Sequence, residues 1–278
     1  MSKIDNLSKD VLIGTIIGDI VGSRFELSNC KTGKVFELLH STCRFTDDSV
    51  MTLAVAKIIL NCNADYSNIK AIALSTIPEV GLKYPYCGYG PSFYKWLKSE
   101  EHEPYGSYGN GAAMRISSLA VAIKDNKNMK QICDIITNLT HNHEDSIIGA
   151  EAVCTAISMA LNNKSKEDII ETIEKEYFKI YDLKDKEMSR KSFHINCIET
   201  VKQSIIAFKE SYDYEDAIRN AIALGGDSDT IAAITGGLAA AYYGVPQDLI
   251  NKGVQYLDNY LLNIYKDFNN EFMQVKKI

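Results

Sequence analysis

Along most of the chain apolar residues recur every three to four positions. No segment shows the period-2 alternation that a half-buried strand requires. The pattern predicts a succession of helices. Ser8 is expected to cap the first, which runs through about Gly22; Thr46 caps one through Leu60, and Ser67 another through Ile77. Further helices are predicted over 92–99, 112–123, 128–140 and 146–162. Ser165-Lys166-Glu167-Asp168 is close to a capping box for the amphipathic segment after it. The last four cover about 194–209, 214–224, 229–243 and 247–268. The stretch from Asp182 to Ser192 is charge-rich and unpatterned, and is read as a solvated loop. With no repeat and no linker, the expectation is one all-α domain spanning residues 1–278.

Three of these helices are not amphipathic. Val11–Val21, Val50–Leu60 and Ile231–Tyr243 are apolar or small almost all the way round, the mark of a buried helix. Gly14, Gly18 and Gly22 recur every fourth residue, as do small residues from Ala232 through Gly236 to Ala240. Such stripes let helix axes approach closely, which marks these three as the central helices.

Composition narrows the class. Apolar residues are 46% and charged residues 24% of the 278, so a packed soluble protein is expected and disorder is not. A net charge of −6 argues against binding along a nucleic-acid backbone, which needs clustered Lys and Arg. The 7 cysteines are scattered and form no C-x-x-C pair, which suits reduced thiols and suggests neither a disulfide frame nor a zinc knuckle. The apolar stretch Val11–Gly22 follows Asp5 and Asp10 and is interrupted by Asp19. It is shorter than the roughly 20 residues of a membrane span and lacks the flanks of a signal peptide. A cytoplasmic location with no membrane partner is expected.

The candidate chemistry lies at the helix starts. Thr46-Asp47-Asp48 opens the second central helix, and Asp227-Ser228-Asp229-Thr230 opens the last. Either motif alone is explained by capping, since Asp and Thr suit a helix N-terminus. Together they place four carboxylates at the entrance to helices that are to be buried, with Arg44 the only base close by. Burying ionised carboxylates without partners is prohibitive. A hard cation with oxygen ligands resolves the conflict, and the hydroxyls of Thr46 and Thr230 fit as further ligands. So many oxygens suit two ions roughly 3.5–4 Å apart. No His or Cys stands in either motif, which disfavours zinc and favours magnesium or manganese. Glu26, just past the first central helix, reads by itself as a surface residue or a partner of Arg24; Asp19 reads as a brace for neighbouring backbone.

Two glycine-rich stretches complete the set: Gly88-Tyr89-Gly90, and Gly106-Ser107-Tyr108-Gly109-Asn110-Gly111 before a helix. Either is read alone as a turn, yet glycine turns feeding a helix also present N–H groups to anions such as a diphosphate. The adjoining tyrosines are suited to stacking on a nucleobase. Thr140-His141-Asn142-His143 matches no zinc spacing and reads as structural or ligand-lining.

Jointly these segments resemble the ADP-ribosylglycohydrolases of the dinitrogenase reductase-activating type, above all the compact bacterial members. The resemblance rests on Gly18-Asp19 with Gly22 and Glu26, Phe45-Thr46-Asp47-Asp48-Ser49, Gly88-Tyr89-Gly90, Tyr108 through Arg115, Thr140 through His143, and Gly225 through Ile231, in family order over about residues 12–245. Two flanks depart from the family pattern: His143-Glu144-Asp145-Ser146 follows the Thr-His-Asn segment, and Ser118 stands where relatives carry proline.

The resemblance implies a single-domain orthogonal helical bundle around a binuclear magnesium or manganese centre. It implies Thr46, Asp47, Asp48, Asp227, Asp229 and Thr230 as metal ligands and Glu26 as the catalytic carboxylate. It also implies that Gly106, Ser107, Tyr108 and Gly109 cradle a diphosphate and that His141 lines the ribose pocket. Gly88, Tyr89 and Asn110 are added as substrate-binding candidates from the glycine stretches. The implied reaction is hydrolysis of the bond between ADP-ribose and a modified acceptor, with Glu26 as general base toward water. Arginine is the favoured acceptor, ahead of serine or another linkage. The partner is then an ADP-ribosylated protein or a small ADP-ribose conjugate, nucleic acid enters only as a modified substrate, and the chain is expected to be a monomer. Two alternatives stay open: a catalytically silent ADP-ribose-binding module, and a helical phosphohydrolase using a His-Asp pair.

Overall fold

The structure is a computed structural model, and its described residues are 7–26, 33–180 and 196–273. They form thirteen α-helices: α1 Val11–Gly22, α2 Asp47–Cys62, α3 Ile69–Gly81, α4 Pro91–Leu97, α5 Ser117–Ala122, α6 Asn126–Asn138, α7 Glu144–Leu161, α8 Lys166–Glu176, α9 Cys197–Lys209, α10 Tyr214–Leu224, α11 Ser228–Tyr243, α12 Gln247–Gly253 and α13 Asn259–Phe272. The all-α expectation holds. The loop expected over Asp182–Ser192 lies outside the described residues. No helix among the described residues is long and apolar enough to cross a membrane, and the six described cysteines are free thiols.

The three apolar helices are central. All of α1 is buried, as is α11 from Ser228 to Ala241, and α2 is buried from Asp48 through Ala56. Glycine sets how α1 meets α11. A Cβ on Gly18 would stand 2.0 Å from Ala232 O, one on Gly236 would stand 2.3 Å from Gly14 O, and one on Gly22 would stand 2.3 Å from Asp229 Cα. Each side chain that glycine omits is replaced by backbone of the facing helix. Numbers rise along α1 as they fall along α11, so the two run antiparallel. The C-terminal end of α1 is thereby brought to the first turn of α11.

Several boundaries differ from the sequence reading, each for a local reason. Asp10, not Ser8, caps α1; its carboxylate accepts from Ile13 N (3.1 Å), Tyr265 Oη (2.6 Å) and Asn269 Nδ2 (2.6 Å), tying α13 to α1. Ser8 belongs instead to a two-residue strand, β1 Leu7–Ser8, paired antiparallel with β2 Val245–Pro246, too short to show a period. Asp65, not Ser67, caps a short 3₁₀ turn ahead of α3. The expected helix over 112–123 is a 3₁₀ turn, Asn110–Ala112, followed by the shorter α5. The single long helix expected over 247–268 is broken into α12, a 3₁₀ turn Val254–Tyr256, and α13 capped by Asp258. The apolar period continues across that break and conceals it. Thr46 does cap α2, and Ser165 with Asp168 completes a full capping box on α8.

The glycine contact gives a direct test. Gly18→Ala improves helix propensity by about 1 kcal/mol but drives a methyl into backbone that cannot yield. A net loss of about 2 kcal/mol is expected, lowering Tm by roughly 4–8 °C. Gly33→Ala, where a Cβ meets nothing within 4 Å, serves as control. An unchanged melting curve for Gly18→Ala would contradict the close α1–α11 contact.

Candidate metal centre and ligand cavity

Three helix ends converge. The α2 N-terminus is organised by Asp19, which is wholly buried on the last turn of α1. Its carboxylate accepts from Thr46 N (2.8 Å), Thr46 Oγ (2.5 Å), Ser49 N (3.0 Å) and the Ser49 hydroxyl. These N–H groups belong to the first turn of α2, which has no intrahelical acceptors for them, so Asp19 acts as a brace as expected. The 27-residue separation from Thr46 makes this partner invisible to local pattern.

The four motif acids meet beside that brace. Asp48, 2% exposed, accepts from Thr230 Oγ at 3.2 Å through Oδ2, while its Oδ1 is buried with no hydrogen-bond partner. Asp229 Oδ1 accepts from Thr230 N (3.0 Å), and Asp227 Oδ2 accepts from Asn110 Nδ2 (2.7 Å). Carboxylate oxygens of Asp19, Asp48 and Asp229 lie within 4.8 Å of one another, and so do those of Glu26, Asp227 and Asp229. Asp229 is common to both groups. The antiparallel α1–α11 contact is what brings Glu26 here: it follows Gly22, which sits against Asp229. Sequence spacing alone left Glu26 a surface residue or a partner of Arg24.

Electrostatics single the cluster out. Burial, then the neighbouring carboxylates, push Asp48 and Asp229 well above the usual carboxylate range. The same causes, with Asp19 the strongest of the charges, push Asp47 up to about 8. Glu26 is raised by burial and by Asp227, against the pull of Arg44. Six carboxylates, Asp19 included, share this space with no ion pair to a Lys or Arg among the described residues. An orphaned buried oxygen, an all-oxygen donor set and one shared carboxylate fit divalent cations of the hard class.

Beyond the acids opens a cavity of about 590 Å³. Glu26, Asp47, Asp48, Asp227, Asp229 and Thr230 line it on one side, whereas Thr46 lies behind them. Asp47, like Glu26, is half-buried. Its Oδ1 occupies the place a Cβ on Gly88 would approach to 2.8 Å, and Gly88 has φ +122°, so this turn requires glycine on two counts. Tyr89 is turned away from the cavity: its hydroxyl donates to Gly81 O (3.2 Å), and its ring packs on Phe93 and Tyr94. The sequence reading had offered Tyr89 for substrate; the geometry gives it a supporting place under Gly90, Pro91 and Phe93, which do line the cavity.

Gly106, Ser107, Tyr108, Gly109, Asn110, Gly111 and His141 form further wall. The loop is pinned to the start of α7. Ser146 Oγ donates to Ser107 O (3.0 Å), and Gly106 N donates to Asn142 Oδ1 (2.6 Å). Gly109 N donates to Ser107 Oγ (3.2 Å), so the N–H groups of Gly106 and Gly109 are engaged internally. Tyr108 is 51% exposed with its ring edge-on to His143, a platform at the cavity mouth. Asn110 reaches the acids while Gly111 touches His141, so this dipeptide joins the two walls. Arg115 and Tyr105 also line the cavity; Arg115 closes one of the segments that carry the resemblance but was given no role, and Tyr105 was not singled out. Arg115 carries the one local clue, a charge embedded in the apolar run from Ala112 to Ala122.

Comparison with known proteins agrees with this architecture. The family model for ADP-ribosylglycohydrolase matches residues 2–274. The mouse protein ADP-ribosylhydrolase ARH3 is 24% identical, over 85% of this chain and 83% of its own. ADP-ribosylarginine hydrolase Tri1 of Pseudomonas putida (strain GB-1) is 23% identical, over 86% of this chain and 71% of its own. A solved structure titled ADP-ribosylglycohydrolase-related protein complex shares the fold with a TM-score of 0.70 at 19% identity, covering 94% of this chain and 96% of that one. The chain belongs to the ADP-ribosylglycohydrolase family and is a hydrolase of glycosidic bonds.

Proposed function

We propose that this protein hydrolyses the bond between C1″ of an ADP-ribosyl group and a modified acceptor, with arginine preferred, and that it does so with two divalent cations, magnesium or manganese. The observation that carries the reading is the meeting of the buried Asp48, Asp227 and Asp229 with the half-buried Glu26, none of them ion-paired to a Lys or Arg among the described residues, on the wall of a cavity sized for a nucleotide sugar. The named activities of the mouse and Pseudomonas relatives support the same reaction class.

Thr46, Asp47, Asp48, Asp227, Asp229 and Thr230 would hold the cations. When bound, such ions would orient the sugar hydroxyls and make a nearby water easier to deprotonate. Glu26 takes a proton from water as the water oxygen bonds to C1″. The bond from C1″ to the acceptor nitrogen or oxygen breaks, and the proton that Glu26 took from water passes to that leaving atom, which regenerates the carboxylate. Burial and Asp227 raise the proton affinity of Glu26, which makes it a stronger base than an ordinary carboxylate. Asn110 fixes the carboxylate of Asp227, and Gly88 leaves room for that of Asp47. Tyr108 offers a face to the nucleobase, and Gly106 through Gly109 shape the path of the diphosphate.

Three outcomes are expected. Exhaustive chelation, with metal loss verified by elemental analysis, abolishes release of ADP-ribose, and magnesium or manganese restores it. Cation at 100 times its Kd also stabilises the fold by about 2.7 kcal/mol, an effect weakened in Asp48→Asn and Asp229→Asn. Full turnover of demonstrably metal-free protein would remove the cations from the proposal.

Glu26→Gln keeps the side chain's size and hydrogen bonding. With cation in excess, kcat is expected to fall by about 10²–10⁴, equal to roughly 3–5 kcal/mol of barrier, while ADP-ribose binds nearly as before. Near-normal turnover would shift the base to Asp47. In a panel of defined linkages the arginine conjugate is cleaved fastest, and free ADP-ribose competes whereas ribose alone does not. A panel with no cleaved member would favour a binding module instead.

A further inference from the structure

Arg115 is 1% exposed, and its guanidinium has no carboxylate partner among the described residues. Nη2 donates to Thr140 Oγ at 2.7 Å and, at 3.5 Å, to Ile136 O. Arginine only donates, so Thr140 Oγ is the acceptor in that contact. The other neighbour of this oxygen is His141 Nδ1, at 2.6 Å. Thr140 is fully buried, so water does not reach the hydroxyl.

The proton count then decides the tautomer. Were Nδ1 protonated, Oγ would accept twice and its own hydrogen would be stranded in a dry interior, an arrangement that costs about 1–3 kcal/mol. With Nδ1 as acceptor every proton in the chain has a partner, and the neutral ring carries its hydrogen on Nε2. The doubly protonated ring fails the same count, and burial beside Arg115 pushes His141 well below the usual histidine range. Nε2 has no protein partner among the described residues. It lies against Gly111, where a Cβ would come within 3.0 Å of it, and both residues wall the cavity.

We propose that Arg115 and Thr140 are positioning residues: the chain from Arg115 Nη2–H to Thr140 Oγ–H to His141 Nδ1 holds His141 as an uncharged Nε2–H donor facing an oxygen of the bound ligand. The identity of that oxygen as part of an ADP-ribosyl group rests on the function proposed above; the tautomer does not. The buried guanidinium thus acts through the imidazole without touching substrate. It makes a cationic ring at this wall unfavourable and leaves a single donor of fixed direction. Valine at position 140 would match the shape and remove the relay.

The test has a spectroscopic arm and a binding arm. Long-range ¹H–¹⁵N spectra of histidine-labelled protein, with His141 assigned by its loss in His141→Gln, are expected to show at neutral pH a proton on Nε2 and a bare Nδ1. In Thr140→Val the two tautomers mix, ADP-ribose Kd rises roughly tenfold, and KM rises more than kcat falls. Thr140→Ser keeps the hydroxyl and stays within about twofold of the parent on all three readouts. A protonated Nδ1 in the parent protein, or a Thr140→Val protein with unchanged tautomer and affinity, would overturn the proposal. If Thr140→Val does not fold, the parent and Thr140→Ser spectra decide the matter. A parent protein with the expected tautomer that binds no ADP-ribose supports the relay while sinking the ADP-ribose reading.

Discussion

The whole site hangs on how closely α1 and α11 approach. Where Gly14, Gly18, Gly22 and Gly236 lack side chains, the opposite helix fills the space, with its backbone at Gly18, Gly22 and Gly236 and with the Ala240 methyl first at Gly14. Because the pair is antiparallel, the tail of one helix is delivered to the head of the other. Glu26 and Asp19 come from the α1 side, Asp227 and Asp229 from the α11 side. A wider spacing, such as alanine at each contact would impose, would move these carboxylates apart by more than a hydrogen-bond or ligand contact tolerates.

That convergence is electrostatically unfavourable on its own terms. Like charges are gathered where water is scarce, and burial raises the proton affinity of each carboxyl. The protein answers part of the conflict internally. Asp19 takes four hydrogen bonds from the first turn of α2, and Asp227 takes one from Asn110. It leaves Asp48 Oδ1 unanswered. A fold that satisfies Asp19 so fully and strands the neighbouring oxygen has separated a structural carboxylate from one left open to a ligand, although both lie within one cluster.

The rest of the cavity is organised by the opposite charge. Arg115 is a buried cation with no carboxylate partner, and Asn110-Gly111 spans from the acids to the histidine it governs. One wall therefore suits cations and hydroxyls, and the other offers donors to oxygen. This polarity matches a ligand with a ribose at one end and anionic phosphates further along. At Gly111, as at Gly88, a side chain of the cavity wall sits where a Cβ would go, whereas Gly106 is favoured by its φ of +69°.

Much of this was legible in the chain itself. Helix periodicity identified the fold class, circumferential apolarity identified the central helices, and their small-residue stripes announced a close approach. The motif acids stood out because charge at the mouth of a buried helix is costly and demands an explanation. These are local properties, carried by residues within one or two turns of each other. What tertiary structure alone decided are the partnerships across long separations. Glu26 becomes a cavity carboxylate only because antiparallel packing carries it to Asp227 and Asp229. Tyr89 turns away from the cavity because Gly81 O and two aromatic rings claim it. Arg115 governs His141 through a threonine 25 residues distant. The broken helix after Gln247 escaped notice for the converse reason: apolar period persists where backbone geometry does not. Sequence pattern fixes which face of an element is buried, but which buried groups then meet depends on axis distances and directions that no single segment encodes.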